Sequence, residues 1–243
     1  MKIFTSLTLV FLMSSCISNH SKNDIISNHS KNDIKIQNNC SDLGLVVNEF
    51  VEIGNQKWMS NDLKTIFYNN GDPINQARSD EEWQKFGELK KGCYRLLDEE
   101  TILYNGYVLT DERGVIPQGY RLPSIEDFNQ LYLFITQNEE EIYWNNYEFM
   151  KSISSYNFST WNDVIVRSNN RTKFSAKPGG FVYPAGNTST SEHNFNCSYW
   201  WTSTSNWSDS LEGLDIGYCS NDLGGGGNYE LTFGFSVRPI LCE

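Results

Sequence analysis

The chain has 243 residues and a mass of 27.9 kDa, room for one large domain or two small ones but hardly for two full-sized domains and a linker. Hydrophobic residues make up 39% and aromatic residues 14%, with 7 Trp, 13 Tyr and 14 Phe, so rings carry the apolar bulk and disorder over most of the chain is excluded. Nineteen Lys and Arg against 30 Asp and Glu leave a net charge of −11, which argues against nucleic acid as a partner, because that affinity depends on many cations displacing counterions from phosphates.

Lys2, the apolar run 3–13 and then Ser14-Ser15-Cys16 read as a secretory signal over residues 1–15. The run is far short of the roughly 20 apolar residues that cross a bilayer, and no later stretch reaches that length. Met13-Ser14-Ser15-Cys16 resembles a bacterial lipobox, which makes Cys16 the lipidated first residue of the mature chain; the alternative is an ordinary cleaved signal with an incidental cysteine. Several acyl chains, each buried methylene contributing about 0.8 kcal/mol, hold such a protein in the membrane almost permanently.

Residues 17–25 read ISNHSKNDI and residues 26–34 repeat them without change. Two copies of a polar nonapeptide cannot build a solenoid or offset their ordering entropy, so 16–46 is expected to be a lipidated, flexible tether ahead of a folded domain over 47–243. The anchor implies an outer-membrane lipoprotein of the cell envelope, facing either the periplasm or the cell surface. Lys22-Asn23-Asp24 is a poor match to the acidic signals that route Bacteroidetes-type lipoproteins outward.

Within the domain, Phe50-Val51-Glu52-Ile53 reads as a strand. Ser79-Asp80-Glu81-Glu82 fits a capping box and starts a short helix ending near Gly87. Tyr107-Val108-Leu109 reads as another strand. Ser124 after Pro123 caps the main helix, with Ile125, Phe128, Leu131, Tyr132 and Ile135 at helical spacing, and a third helix is expected within residues 139–153. Tyr199-Trp200-Trp201 and Leu231-Thr232-Phe233 read as strands, and alternation along the former puts one Trp in the core, Trp200 being favoured, and leaves Trp201 to line a surface. Arg238, in an otherwise apolar terminal strand, reads as a paired structural cation. The long loops over 161–174 and 201–229 are where function is expected.

Five blocks occur in the order of a known module: Ile53-Gly54-Asn55-Gln56-Lys57-Trp58-Met59, Gly119-Tyr120-Arg121-Leu122-Pro123-Ser124, Phe174-Ser175-Ala176-Lys177-Pro178-Gly179-Gly180-Phe181, Tyr199-Trp200-Trp201-Thr202-Ser203-Thr204 and Gly234-Phe235-Ser236-Val237-Arg238. Together they resemble the Fibrobacter succinogenes major paralogous domain. The resemblance implies an α+β, C-type-lectin-like fold with short antiparallel strands, one main helix, one or two lesser helices and long loops. That fold is shared with formylglycine-generating enzymes and with the variable binding proteins of diversity-generating retroelements. In the family the domain sits on secreted or lipid-anchored bacterial proteins, often beside adhesive parts. Pro239 stands where a cysteine often does, so the family's disulfide pattern does not carry over directly.

Apart from Cys16, five cysteines remain, which cannot all pair. Cys197–Cys219 is the first expected bridge, closing a loop of about 20 residues for roughly 3 kcal/mol, and a second would join Cys242 to Cys93 or Cys40. His193 and Cys197 have only two-ligand spacing, too few for structural zinc. As the only histidine in the folded region, His193 has no nucleophile elbow beside it, and no pair of carboxylates stands out among the many. Trp161-Asn162-Asp163 matches a calcium-holding tripeptide of C-type lectins but lies outside its usual strand. Calcium has a further candidate loop in Asp209, Glu212, Asp215 and Asp222, without EF-hand spacing; no other cofactor is expected.

The sequence therefore reads as a non-catalytic binding or adhesion module for a glycan, a peptide or a neighbouring envelope protein, with Trp201, Trp207 and Tyr218 as candidate ligand contacts. The alternative is an enzyme on the same scaffold, a formylglycine-generating-type oxidase or a carbohydrate-active enzyme.

Overall fold

Gly54 turns the first strand back on the second, and it can do so because it has no side chain. Phe50–Ile53 (β1) and Gln56–Met59 (β2) form a two-residue hairpin in which Gly54 takes φ +62°, as the first central position of a type II′ turn requires. The computed structural model describes residues 49–242 except 138–146, 156, 160–164, 189–196, 206 and 218–225. The remaining elements are Asn75–Gln76 (β3), Asp80–Glu88 (α1), Cys93–Leu96 (β4), Ile102–Asn105 (β5), Gly106–Leu109 (α2), Tyr120–Arg121 (β6), Ile125–Thr136 (α3), Tyr147–Ile153 (α4), Phe158–Ser159 (β7), Ile165–Val166 (β8), Cys197–Trp201 (β9), Ser210–Gly217 (β10), Gly226–Glu230 (β11), Gly234–Phe235 (β12) and Ile240–Leu241 (β13). The described strands form sheets in the orders β1-β2-β13-β6, β12-β5-β4-β3, β11-β10-β9 and β7-β8. Between these described strands the pairings are antiparallel except β3 with β4, and isolated parallel bridges join Ser198 and Trp200 of β9 to Gly180 and Ser236. The architecture is mixed α and β, and none of the described helices is long and apolar enough to cross a membrane.

Both capped helices form where the sequence places them. At α1 the Glu82 N–H donates to Ser79 Oγ at 3.2 Å, while the Glu82 carboxylate accepts from the Arg78 N–H at 2.7 Å. At α3 the box is complete: Asp127 N–H donates to Ser124 Oγ, and Ser124 N–H donates to the Asp127 carboxylate at 2.7 Å. Arg121 grips the same carboxylate with two hydrogen bonds of 2.5 and 2.7 Å, tying β6 to α3. Gln56 of β2 donates to the Asp127 carbonyl and accepts from Trp58 Nε1, so the first two sequence blocks meet at this one joint. Burial pushes the Asp127 carboxyl up, but the bonds from Arg121 and Ser124 outweigh it and hold the group below the usual carboxylate range. Asp127→Asn is expected to lower stability at neutral pH by about 2 kcal/mol. Because the folded pKa is depressed, that contribution is present above the unfolded value of about 4 and is lost as pH falls through the folded one. Urea titrations from neutral to acid pH check this: the difference between wild type and variant closes on the acid side.

Two of the expected strands are not strands. Tyr107-Val108-Leu109 belongs to the single helical turn α2. β5 ends at Asn105, whose side chain is held by the Cys93 N–H and the Lys91 carbonyl, and Gly106 then passes so close to Leu231 that a Cβ would lie 2.6 Å from its side chain. Curling there buries Val108 and Leu109 in the core. Leu231-Thr232-Phe233 forms the reversal between β11 and β12, closed by the Phe233 N–H donating to the Glu230 carbonyl at 3.0 Å. Of the third expected helix, α4 covers its end; residues 139–146 lie outside the described part.

The sheet β11-β10-β9 separates two apolar cores. One face carries Tyr199, Trp201 and Leu211 into a cluster with Tyr104, Phe235 and Val237. From the other, Trp200 and Leu214 enter a cluster with Trp58, Phe128 and Phe174 from the α3 side. A smaller cluster gathers around Trp83 of α1.

Candidate functional site

Strand alternation does send Trp200 and Trp201 to opposite faces, but both faces are interior. Each ring is fully buried, Trp200 against Phe128 and Phe174, and Trp201 against Phe235 with its indole N–H donated to the Tyr104 carbonyl at 2.8 Å. Trp201 therefore has no surface to offer a ligand, and the expectation that it lines one is corrected. Trp207 is 70% exposed, in the turn before β10, where Ser205 and Ser210 donate to its carbonyl. Tyr218 lies outside the described residues.

A contiguous aromatic surface comes from residues that the sequence does not single out as ligand contacts. Phe181 and Tyr183, Tyr229 on β11, and Phe233 in the following turn form a half-exposed strip of rings, with Phe181–Tyr183 at 4.6 Å, Tyr183–Phe233 at 6.3 Å and Tyr229–Phe233 at 5.3 Å between centroids. It is continuous with the core, because Phe181 packs on Tyr199 at 4.7 Å and Tyr229 on Phe235 at 4.8 Å. Gly213 pairs with Gly227 beneath these rings, and a Cβ on Gly213 would lie 2.7 Å from Phe235 and 2.8 Å from Tyr229. The strand pair is thus bare where the rings lie against it.

Tyr183 is presented by a three-residue loop, Pro184-Ala185-Gly186. The Gly186 N–H donates to the Tyr183 carbonyl at 2.8 Å, the Tyr183 N–H donates to the Asn187 carbonyl, and Gly186 takes φ +93°. Arg95, nearly buried, clamps this loop by donating to the Gly186 carbonyl and to Asp80 at 2.9 Å. Along the sheet, Asp209 and Glu230 lie near Tyr107, whose hydroxyl is raised by burial first and then by these two charges.

Arg238 is the paired structural cation the sequence suggests. Its Nε donates to Asp62 at 2.6 Å, its Nη1 donates to the Phe174 carbonyl, and its guanidinium lies 4.4 Å from the Phe174 ring centroid. Asp62 also accepts from Trp200 Nε1 at 2.9 Å. Three of the five sequence blocks converge on this group, which makes it a fastening of the fold. A model of the Fibrobacter succinogenes major domain matches residues 51–240. The chain belongs to that family. No curated protein and no solved structure matches it.

In this Fibrobacter succinogenes major domain Cys197 takes part in a disulfide and so, separately, does Cys242, while Cys93 is a free, fully buried thiol pushed up to about 12 by burial. A Cys93–Cys242 bridge is therefore ruled out: Cys93 points into the small cluster around Trp83, a dry setting that keeps it protonated and inert. Cys16, Cys40 and Cys219 lie outside the described residues, as do His193 and Trp161-Asn162-Asp163. Of the calcium candidates, Asp209 is exposed and Glu212 lies on β10, its carboxyl raised by burial; Asp222 and the Asp215 side chain lie outside the described part. Among the described residues no three His, Cys, Asp or Glu side chains are grouped to hold a metal.

The strip escapes a reading of the sequence because its rings come from segments about 50 residues apart, 181–183 and 229–233, each too short to show a pattern. The one signal for it is Tyr183-Pro184-Ala185-Gly186-Asn187, a sequence that prescribes a tight hairpin and so an exposed ring at its start.

Proposed function

We propose that this protein is an outer-membrane lipoprotein, anchored through Cys16 by a flexible tether, whose domain has a C-type-lectin-like fold and binds without catalysis. The aromatic strip Phe181-Tyr183-Tyr229-Phe233 supports this reading: rings braced from below lose little entropy on binding and stack on the apolar faces of sugars or peptides. Fixed rings of this kind suit recognition, since a ligand is held by area and not by a proton carrier.

The test is a glycan-array and peptide-array screen of the full chain freed of its signal, in calcium and in EDTA. Tyr183→Ala and Phe233→Ala are expected to weaken the principal hit about tenfold or more each, as losing a stacked ring costs roughly 1 to 3 kcal/mol. Trp207→Ala, on the neighbouring loop, is the comparison. Unchanged binding in both strip variants rejects the strip, and loss only in Trp207→Ala moves the site to that loop.

A further inference from the structure

A cleft of about 480 Å³ runs along β1 from Val51 to its turn at Gly54, with Phe134 at the end of α3 on one side and Arg171 and Lys173 on the other. It is separate from the aromatic strip, sharing none of its residues.

β1 is the outer strand of β1-β2-β13-β6, so one of its edges pairs with no described strand. The register says which backbone groups that edge presents. The Ser60 N–H donates to the Glu49 carbonyl at 2.9 Å, and the two-residue turn joins Ile53 to Gln56, so residues 49, 51 and 53 face β2. The N–H and C=O groups of Phe50 and Glu52 consequently point outward. Beside this edge Phe134 is 56% exposed and Val51 is half-buried, which gives the cleft an apolar wall.

The opposite rim is cationic and stiff. Asn170, Lys173 and Ser175 have φ of 42°, 60° and 59°, and the Asn170 side chain bonds both the Ser175 N–H and its hydroxyl. Arg171 is seated by donating from Nε to Ser152 at 2.7 Å and from Nη2 to the Ile135 carbonyl at 2.9 Å, while Nη1 makes no hydrogen bond to any of the described residues. Among the described residues neither Arg171 nor Lys173 is in an ion pair. Glu52, the acid that lines the cleft, is paired with Lys57 at 3.5 Å, and strand alternation puts both on the face that carries Phe50. In a chain of net charge −11, two uncompensated cations beside an apolar wall and an open strand edge are complementary to one kind of partner.

We propose that this cleft binds an extended, acidic segment of a partner polypeptide, which adds to the outer edge of β1 as a fifth strand. Its main chain pairs with Phe50 and Glu52, an apolar side chain rests on Phe134, and a carboxylate meets Arg171 and Lys173.

The probe is an end-blocked fluorescent peptide of alternating valine and glutamate, titrated into the full chain by anisotropy. Saturable binding is expected; its absence overturns the proposal. Lys173→Glu should weaken binding about tenfold, and so should Glu52→Pro, which removes an outward N–H but none that bonds β2. Glu52→Ala, which keeps that N–H, is the control. Should Glu52→Pro fail to fold by circular dichroism, the same peptide N-methylated at alternate amides carries the backbone test, with binding expected to vanish in one methylation register. A peptide of valine and lysine should not bind, and Tyr183→Ala should leave the valine–glutamate affinity unchanged. Equal binding of the lysine peptide, or indifference to N-methylation in both registers, overturns the assignment.

Discussion

Replacing Asp62 with alanine is expected to destabilise the folded domain by about 3 kcal/mol, the low end of what a broken buried ion pair costs. The low end applies because the Asp62 side chain is 25% exposed, so water takes over part of its role, whereas Arg238 is 2% exposed and is left with its charge stranded under the Phe174 ring. Trp200 loses its acceptor at the same time, with its indole buried in the core on the α3 side. For a domain of this size roughly 2–4 °C of melting temperature is lost per kcal/mol, so the midpoint should fall by about 10 °C in calorimetry. Asp62→Asn keeps an acceptor for Trp200 and should lose less. The double change Asp62→Leu with Arg238→Met is the decisive comparison: if the damage comes from an uncompensated charge, it costs less than Asp62→Ala alone. A double variant worse than the single one would mean that the pair itself holds the blocks together.

Arg238 is legible in the sequence because a lone cation in an apolar terminal strand has few ways to be satisfied. The caps at Ser79 and Ser124 are legible for a similar reason: their hydrogen bonds reach only three residues along the chain. What fails is each inference that depends on what lies on the far side of an element. Alternation separates Trp200 from Trp201, but a strand between two cores has no outer face, and nothing within Tyr199-Trp200-Trp201 reports a second core. Tyr107-Val108-Leu109 has strand composition and is helical because Gly106 must pass Leu231, a contact 125 residues away in sequence. The same long-range packing assembles the aromatic strip, so the family blocks show the fastening of the fold more readily than its candidate binding surface.

Gly186→Ala is expected to damage that surface and the fold together, with a loss of about 3 kcal/mol and of the binding proposed for the strip. At φ +93° any L-residue is strained, and a Cβ would collide with the Asp80 carbonyl oxygen and lie 2.5 Å from the Asp80 Cα. Those are backbone atoms at the start of α1, so no rotamer change relieves the contact and the hairpin has to move away from the helix. Arg95 then loses the Gly186 carbonyl it holds, and Tyr183, whose carbonyl and N–H close the same hairpin, leaves the Phe181 and Phe233 rings. Gly71→Ala separates the two causes. Gly71 has φ +89°, but a methyl group there would meet nothing within 4 Å, so that variant carries the dihedral strain alone, about 1 kcal/mol, and leaves ligand binding intact. If chemical denaturation shows the two glycine variants losing equal stability, the hairpin is not pinned against α1, and the strip is held by its ring contacts alone.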